Sequence, residues 1–151
     1  MRLSLTLAAV LVVSVVSVVA GRAYAQQRPA AAGVHIDPAK VAEALAKGGT
    51  LLTRPDLIVQ GSHRDRGGQV EVHDKETDVL YILEGEATFV FGGTMVGGKV
   101  SRPEQWLGTD ITGGETHKIG KGDVFVIPAG IPHWFKEVPK SVSYFVVKVV
   151  K

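Results

Sequence analysis

The chain contains no cysteine. Disulfides, thiolate metal ligands and a cysteine nucleophile are therefore excluded together, and the fold must be held by its core, by a bound ion or by a second subunit. It has one long hydrophobic run, residues 3–20, and no second of that kind. It also lacks a strong charge of either sign. Of its 17 lysines and arginines, Arg2 and Arg22 lie in the first 25 residues, which leaves 15 against 15 aspartates and glutamates from Gln26 onward. A nucleic-acid or anionic-membrane partner calls for a clustered basic face, and this balance argues against both. No Gly-x-Ser-x-Gly elbow, P-loop or dinucleotide fingerprint is present, so serine hydrolase and nucleotide chemistry have no foothold.

What is present begins with an export signal. Met1-Arg2 supplies a minimal basic start, the apolar run follows, and Ala23-Tyr24-Ala25 has the small-residue form of a cleavage site. The run approaches membrane-spanning length, so an uncleaved N-terminal anchor is the alternative. Both readings put the protein outside the cytoplasm, periplasmic or secreted. The remaining stretch, Gln26 to Lys151, has the size of one domain with its own core.

Residues 26–33 have no periodicity and read as a linker. Asp37-Pro38 is a helix start, with Asp suited to the N-cap and Pro to the first helical position, and Gly48-Gly49 stops a helix of about ten residues. From residue 50 the pattern becomes strands: 51–53, 57–64, 69–73, 78–84, 87–91, 115–119, 123–127, 133–137 and 142–150. Asn-Gly and Asp-Gly are absent, and Glu84-Gly85-Glu86 is the best tight-turn candidate. Residues 94–112 exceed the length of a hairpin loop and suit a lid or small strands of their own, with Trp106 either covering a pocket mouth or anchoring the loop. Many short strands between turns predict an all-β sandwich or barrel with one short helix. The last stretch, 142–150, is apolar on both faces, as a buried strand or a dimer interface requires.

Four side chains stand out. Glu71 and His73 lie two apart on a strand and leave the same face. Asp78 opens the next strand, and His133 follows Pro128-Ala-Gly130-Ile-Pro. Two imidazoles and two carboxylates on short strands are the material of a metal site. A glycosidase pair formed by Glu71 and Asp78 would leave both histidines without a role. Alternation gives Leu80 and Ile82 the face of Asp78, and Phe135 the face of His133. His63 is a weaker candidate for the pocket; His35 and His117 read as exposed.

These residues carry a resemblance to the cupins. His73, four residues, Asp78, six residues and Gly85 resemble the later part of the first cupin motif. Gly122-Asp-Val-Phe-Val-Ile-Pro128-Ala-Gly130-Ile-Pro-His133 is similar to the second, and the likeness covers roughly residues 57–150. It implies a single double-stranded β-helix, or jelly-roll, barrel over residues 50–151, preceded by the linker and helix of residues 26–49. The departures concern the ligands. Glu71 stands where the family has its first histidine, Asp78 where it has glutamate, and Glu137 where the second motif closes on asparagine. The resemblance thus implies a carboxylate-rich metal set of Glu71, His73, Asp78 and His133, fit for Fe(II), Mn(II), Ni(II) or Zn(II). A salt bridge from Arg64 or Lys75 is the alternative way to neutralise the carboxylates. Cupins include dioxygenases, isomerases, decarboxylases and lyases as well as non-catalytic binding cups, and many are dimers. The implied function is either metal-dependent chemistry on a small oxygen-bearing molecule or ligand binding in the cell envelope.

Overall fold

The helix forms where the capping residues place it. In the computed structural model, which describes residues 33–151, α1 (Pro38–Lys47) starts with the Asp37 carboxylate accepting from the Ala39 amide at 2.8 Å. It ends at Gly48, whose amide bonds the Ala44 carbonyl at 2.9 Å. The expected signal peptide and nearly all of the linker lie outside the described residues.

Twelve strands follow. The first three are β1 (Gly49–Arg54), β2 (Leu57–Arg64) and β3 (Val70–His73). Next comes the long β4 (Glu76–Phe91), then four short strands: β5 (Thr94–Val96), β6 (Lys99–Arg102), β7 (Gln105–Gly108) and β8 (Asp110–Thr112). The chain closes with β9 (Glu115–Gly120), β10 (Val124–Ile127), β11 (His133–Glu137) and β12 (Val142–Val150). One curled antiparallel sheet runs β1-β2-β12-β4-β11-β3-β7-β6, with β9 and β10 also paired to β4, while β5 and β8 form a separate ribbon. The all-β architecture with one short helix is the expected one, and residues 94–112 carry strands of their own.

One expectation is overturned. Glu84-Gly85-Glu86 is not a hairpin turn but lies within β4. Before this point β4 pairs with β12 and β10; beyond it, with β9 and β11. The strand thus passes from one half of the sheet to the other. A bulge accompanies the passage, with Tyr144 opposite Ile82 but Ser143 opposite Glu84. Gly85 supplies the bend at φ +81, where a Cβ would collide with the Ser141 carbonyl.

Alternation along β4 and β12 decides what the interior contains. Successive cross-strand pairs are Ile82 with Tyr144, Leu80 with Val146, and Asp78 with Lys148. All six are buried. The first two rows join Phe89, Ile119, Ile127 and Phe135 in the core; Ile82 and Phe89 each contribute about 1.5–3 kcal/mol by full burial. The third row is charged, so the apolar interior gives way to an ion pair at one end. On the outer side α1 packs on β2, seated where a Cβ at Gly61 would be 2.8 Å from Ala44. Tyr81, Val124, Val126 and Val149 remain exposed on the outer face of neighbouring strands.

Candidate metal centre

Three strands bring the predicted ligands together. β3 presents Glu71 and His73, and His133 on β11 pairs in register with Glu71. The loop before β11 is tied to the same place by the Gly130 amide, which donates to the His73 carbonyl at 2.8 Å. β4 adds Asp78. His73 Nε2 lies 3.6 Å from Glu71 Oε2 and 3.6 Å from Asp78 Oδ2, and His133 Nε2 lies 3.7 Å from Asp78 Oδ2. Donor atoms of Glu71, His73 and His133 all fall within 4.8 Å of one another, as do those of His73, Glu76 and Asp78.

The protonation states follow from the neighbours. His133 Nδ1 is 3.2 Å from the Ile131 carbonyl, which can only accept, so Nδ1 donates there and Nε2 is the nitrogen turned to the cluster. His73 is 4 % exposed, and neither ring nitrogen has a hydrogen-bond partner. Burial first, and then the positive charge of Lys148, push its pKa down to about 3. It is therefore a neutral imidazole at physiological pH. A buried polar group without a partner costs about 1–3 kcal/mol, which a bound cation would offset.

The spacing tests whether these groups fit an ion. Two ligands each 2.1 Å from a tetrahedral ion stand about 3.4 Å apart. The 3.6 Å between His73 Nε2 and Glu71 Oε2 is near that value and longer than a direct hydrogen bond, and the His133 donor lies within 4.8 Å of both. The donor set, two imidazoles and a carboxylate oxygen, has the chemistry of a 2-His-1-carboxylate site. The residues fit a divalent cation.

Asp78 plays a different part from Glu71. Lys148 Nζ donates to both of its oxygens, at 2.8 and 2.9 Å, and lies 2.9 Å from Glu76 Oε2 as an ion pair. Burial raises the Asp78 pKa and the Lys148 charge opposes that shift. Glu71 is held from the other side by Arg64 Nη2 at 3.2 Å, and Arg64 Nε donates to the Tyr144 hydroxyl at 2.9 Å. Of the two salt bridges considered from sequence, the one from Arg64 forms, with Glu71. Lys75 pairs with Glu104 instead. Lys148 and Glu76 were missed altogether. Both were within reach of alternation, since Lys148 is in phase with Tyr144 and Val146, and Glu76 with Asp78.

A cavity of about 110 Å³ adjoins the cluster, with Asp78, His133 and Lys148 at one side, Glu71 and Arg64 at another, and Leu80, Phe135 and Val146 as apolar wall. Phe135 and Leu80 line it as alternation requires. Trp106 does not: its Nε1 donates to the Asp74 carboxylate at 3.1 Å, and it borders a separate hollow with Val72, Met95 and Pro132. His63 is exposed and bonds Ser143 Oγ at 2.8 Å, away from this cavity. His117 is half-buried and stacks on Phe91 with ring centroids 5.3 Å apart, and His35 is exposed.

Comparison with known proteins completes the description. The cupin family profile matches residues 56–150. KdgF from Halomonas sp. is similar at 16% identity and TM-score 0.50, over 68% of this chain and 78% of that one. DMSP lyase DddQ from Ruegeria pomeroyi DSS-3 is similar at 18% identity and TM-score 0.47, over 68% and 42%. Peruvianin-I, a cysteine peptidase from Thevetia peruviana latex, is similar at 14% identity and TM-score 0.44, over 63% and 51%. The chain thus spans about half the length of the last two. No curated protein sequence matches it.

Proposed function

The chain belongs to the cupin family, and from that premise we propose an exported barrel that binds one divalent cation through Glu71, His73 and His133 and acts on a small oxygen-bearing molecule. The observation that carries this reading is His73: buried, neutral, with no hydrogen-bond partner, and 3.6 Å from two carboxylates. Fe(II), Mn(II), Ni(II) and Zn(II) all accept such a donor set. When bound, the ion supplies Lewis-acid polarisation of a ligand oxygen, the common ground of dioxygenase-, isomerase- and lyase-type cupin chemistry.

The remaining work falls to the chain's own groups. Arg64 engages Glu71 Oε1, which leaves Oε2 turned to His73. The Ile131 carbonyl fixes the His133 ring. Lys148 orients Asp78 beside both imidazoles, where its carboxylate is placed to take or return a substrate proton. Leu80, Phe135 and Val146 supply apolar wall to the cavity. Export through residues 1–25 would place this chemistry in the periplasm or medium. The exposed Tyr81, Val124, Val126 and Val149 support a homodimer through the outer sheet face.

A second reading is favoured by one feature. Lys148 already supplies a cation to Asp78 and Glu76, as a metal-free ligand-binding cup of the cell envelope would require. Elemental analysis of untagged protein, with melting curves in chelator and in added metal, separates the two. The enzyme reading expects one ion per chain. At a hundredfold excess over Kd the ion would add about 2.7 kcal/mol of stability, and both effects would be lost in His73→Ala and His133→Ala. No metal and no metal-dependent melting would leave the binding cup.

A further inference from the structure

Beyond Ile58, the cavity side of β2 is polar from Gln60 to Arg64. Gln60, Ser62 and Arg64 line the cavity, whereas Val59 and Gly61, the alternate positions, face outward toward the helix side. In a strand that only filled a core, this pattern would be reversed. The Arg64 guanidinium is held by three neighbours: its Cζ lies 5.0 Å from the centre of the Phe135 ring, Nε bonds Tyr144, and Nη2 bonds Glu71. Two of its five N–H groups are thereby engaged. Arg64 lines the cavity together with Glu71 and His133, and its Nη1 lies against Gly68.

Pairing and volume then narrow the ligand. Lys148 is taken up by Asp78 and Glu76, whereas Arg64 pairs with Glu71, itself a proposed ligand of the ion. A guanidinium beside a cation favours an anionic ligand. A dry cavity of about 150 Å³ holds the six carbons of benzene. By proportion, the roughly 110 Å³ here encloses about four or five non-hydrogen atoms. A group that pairs with a guanidinium fork, offers oxygen to a cation and has this size is a carboxylate on a very short chain.

We propose that this cup selects a small monocarboxylate, with Arg64 reading its carboxylate beside the cation site. The proposal rests on the metal reading given above. It is tested by calorimetric titration of the full-length protein, first with Zn(II) alone and then, on the Zn(II)-loaded protein, with glycolate and with glycolamide. The two probes are near-isosteric and differ in charge. Wild-type protein should bind glycolate at least about tenfold more tightly than glycolamide, the range of a charge-assisted bidentate contact. In Arg64→Gln that ratio should fall by about tenfold, a readout that does not depend on the absolute Zn(II) affinity. Should that variant not fold, Arg64→Lys keeps the charge but loses the fork, and should weaken glycolate by about tenfold. Failure of Zn(II) to bind sinks the metal reading and this one with it. Zn(II) binding with equal affinity for the two probes, or an undiminished preference in the Arg64 variants, overturns this proposal alone.

Discussion

Replacing Lys148 by methionine probes the feature that the interior could least have been expected to hold. The side chain is 10% exposed and its partner Asp78 is 6% exposed, so the interaction does not belong with surface pairs worth about 0–1 kcal/mol. Methionine fills a similar volume but leaves Asp78 and Glu76 without their ammonium. Breaking a buried pair from one side costs about 3–5 kcal/mol, because the surviving charge stays buried and uncompensated. For a domain of this size that corresponds to on the order of 10–20 °C in Tm.

Two controls follow from the same physics. Adding Asp78→Asn to Lys148→Met removes the stranded charge, so the double variant should regain much of the loss. Acid should help the single variant as well. The folded-state pKa of Asp78 is already raised by burial, and without Lys148 it rises further. A group with a raised folded pKa contributes stability below its unfolded pKa and loses it as pH climbs through the folded value. Lys148→Met should therefore gain relative to wild type as pH falls toward 4. Urea unfolding of chelator-treated protein at pH 7 and pH 4.5 measures each arm. A loss under about 1 kcal/mol at pH 7, or a double variant no better than the single, would refute a buried charge balance at Asp78.

Other expectations are more local. The His73 pKa, lowered to about 3, means that the unfolded chain takes up a proton near pH 6.5 that the folded chain refuses. Stability in metal-free protein should fall between pH 6.5 and 3, by up to about 1.4 kcal/mol per pH unit from this group; His73→Gln should flatten that slope in urea titrations. Gly85→Ala forces a Cβ onto the Ser141 carbonyl at φ +81 and should cost at least about 1–3 kcal/mol by equilibrium unfolding. Trp106→Phe removes a bond to Asp74 outside the cavity. Calorimetry should find Zn(II) affinity unchanged, and a loss beyond about tenfold would contradict the placement of Trp106.

The parts of this protein that could be read from sequence are those that local rules determine. Asp37-Pro38 and Gly48 bound the helix because capping and φ preferences act within a few residues. Strand alternation placed Glu71 with His73, and Leu80 with Asp78, because a pleat has period two. Gly85 misled for an equally physical reason: a positive φ serves a hairpin turn and a bend inside a continuous strand alike, and the choice depends on pairing with β12 and β9, far along the chain.

Lys148 shows where local reading stops. In a run of valines its single charge looks like the solvent side of a strand, and only the phase shared with Val142, Tyr144 and Val146 points inward. Phase alone does not say what waits there. The answer comes from the register that sets Lys148 opposite Asp78, and it changes how the ligand set works. Along the sequence Asp78 is already the weakest of the four candidate ligands, one methylene shorter than glutamate, but its expected partner there is Lys75 and not Lys148. In the fold, Asp78 is bound to an ammonium while Glu71 turns one oxygen to Arg64 and the other to His73. A cation entering this site must therefore compete with Lys148 for Asp78 but not for Glu71. This asymmetry is why we propose three of the four residues as ligands and the fourth as the base beside them.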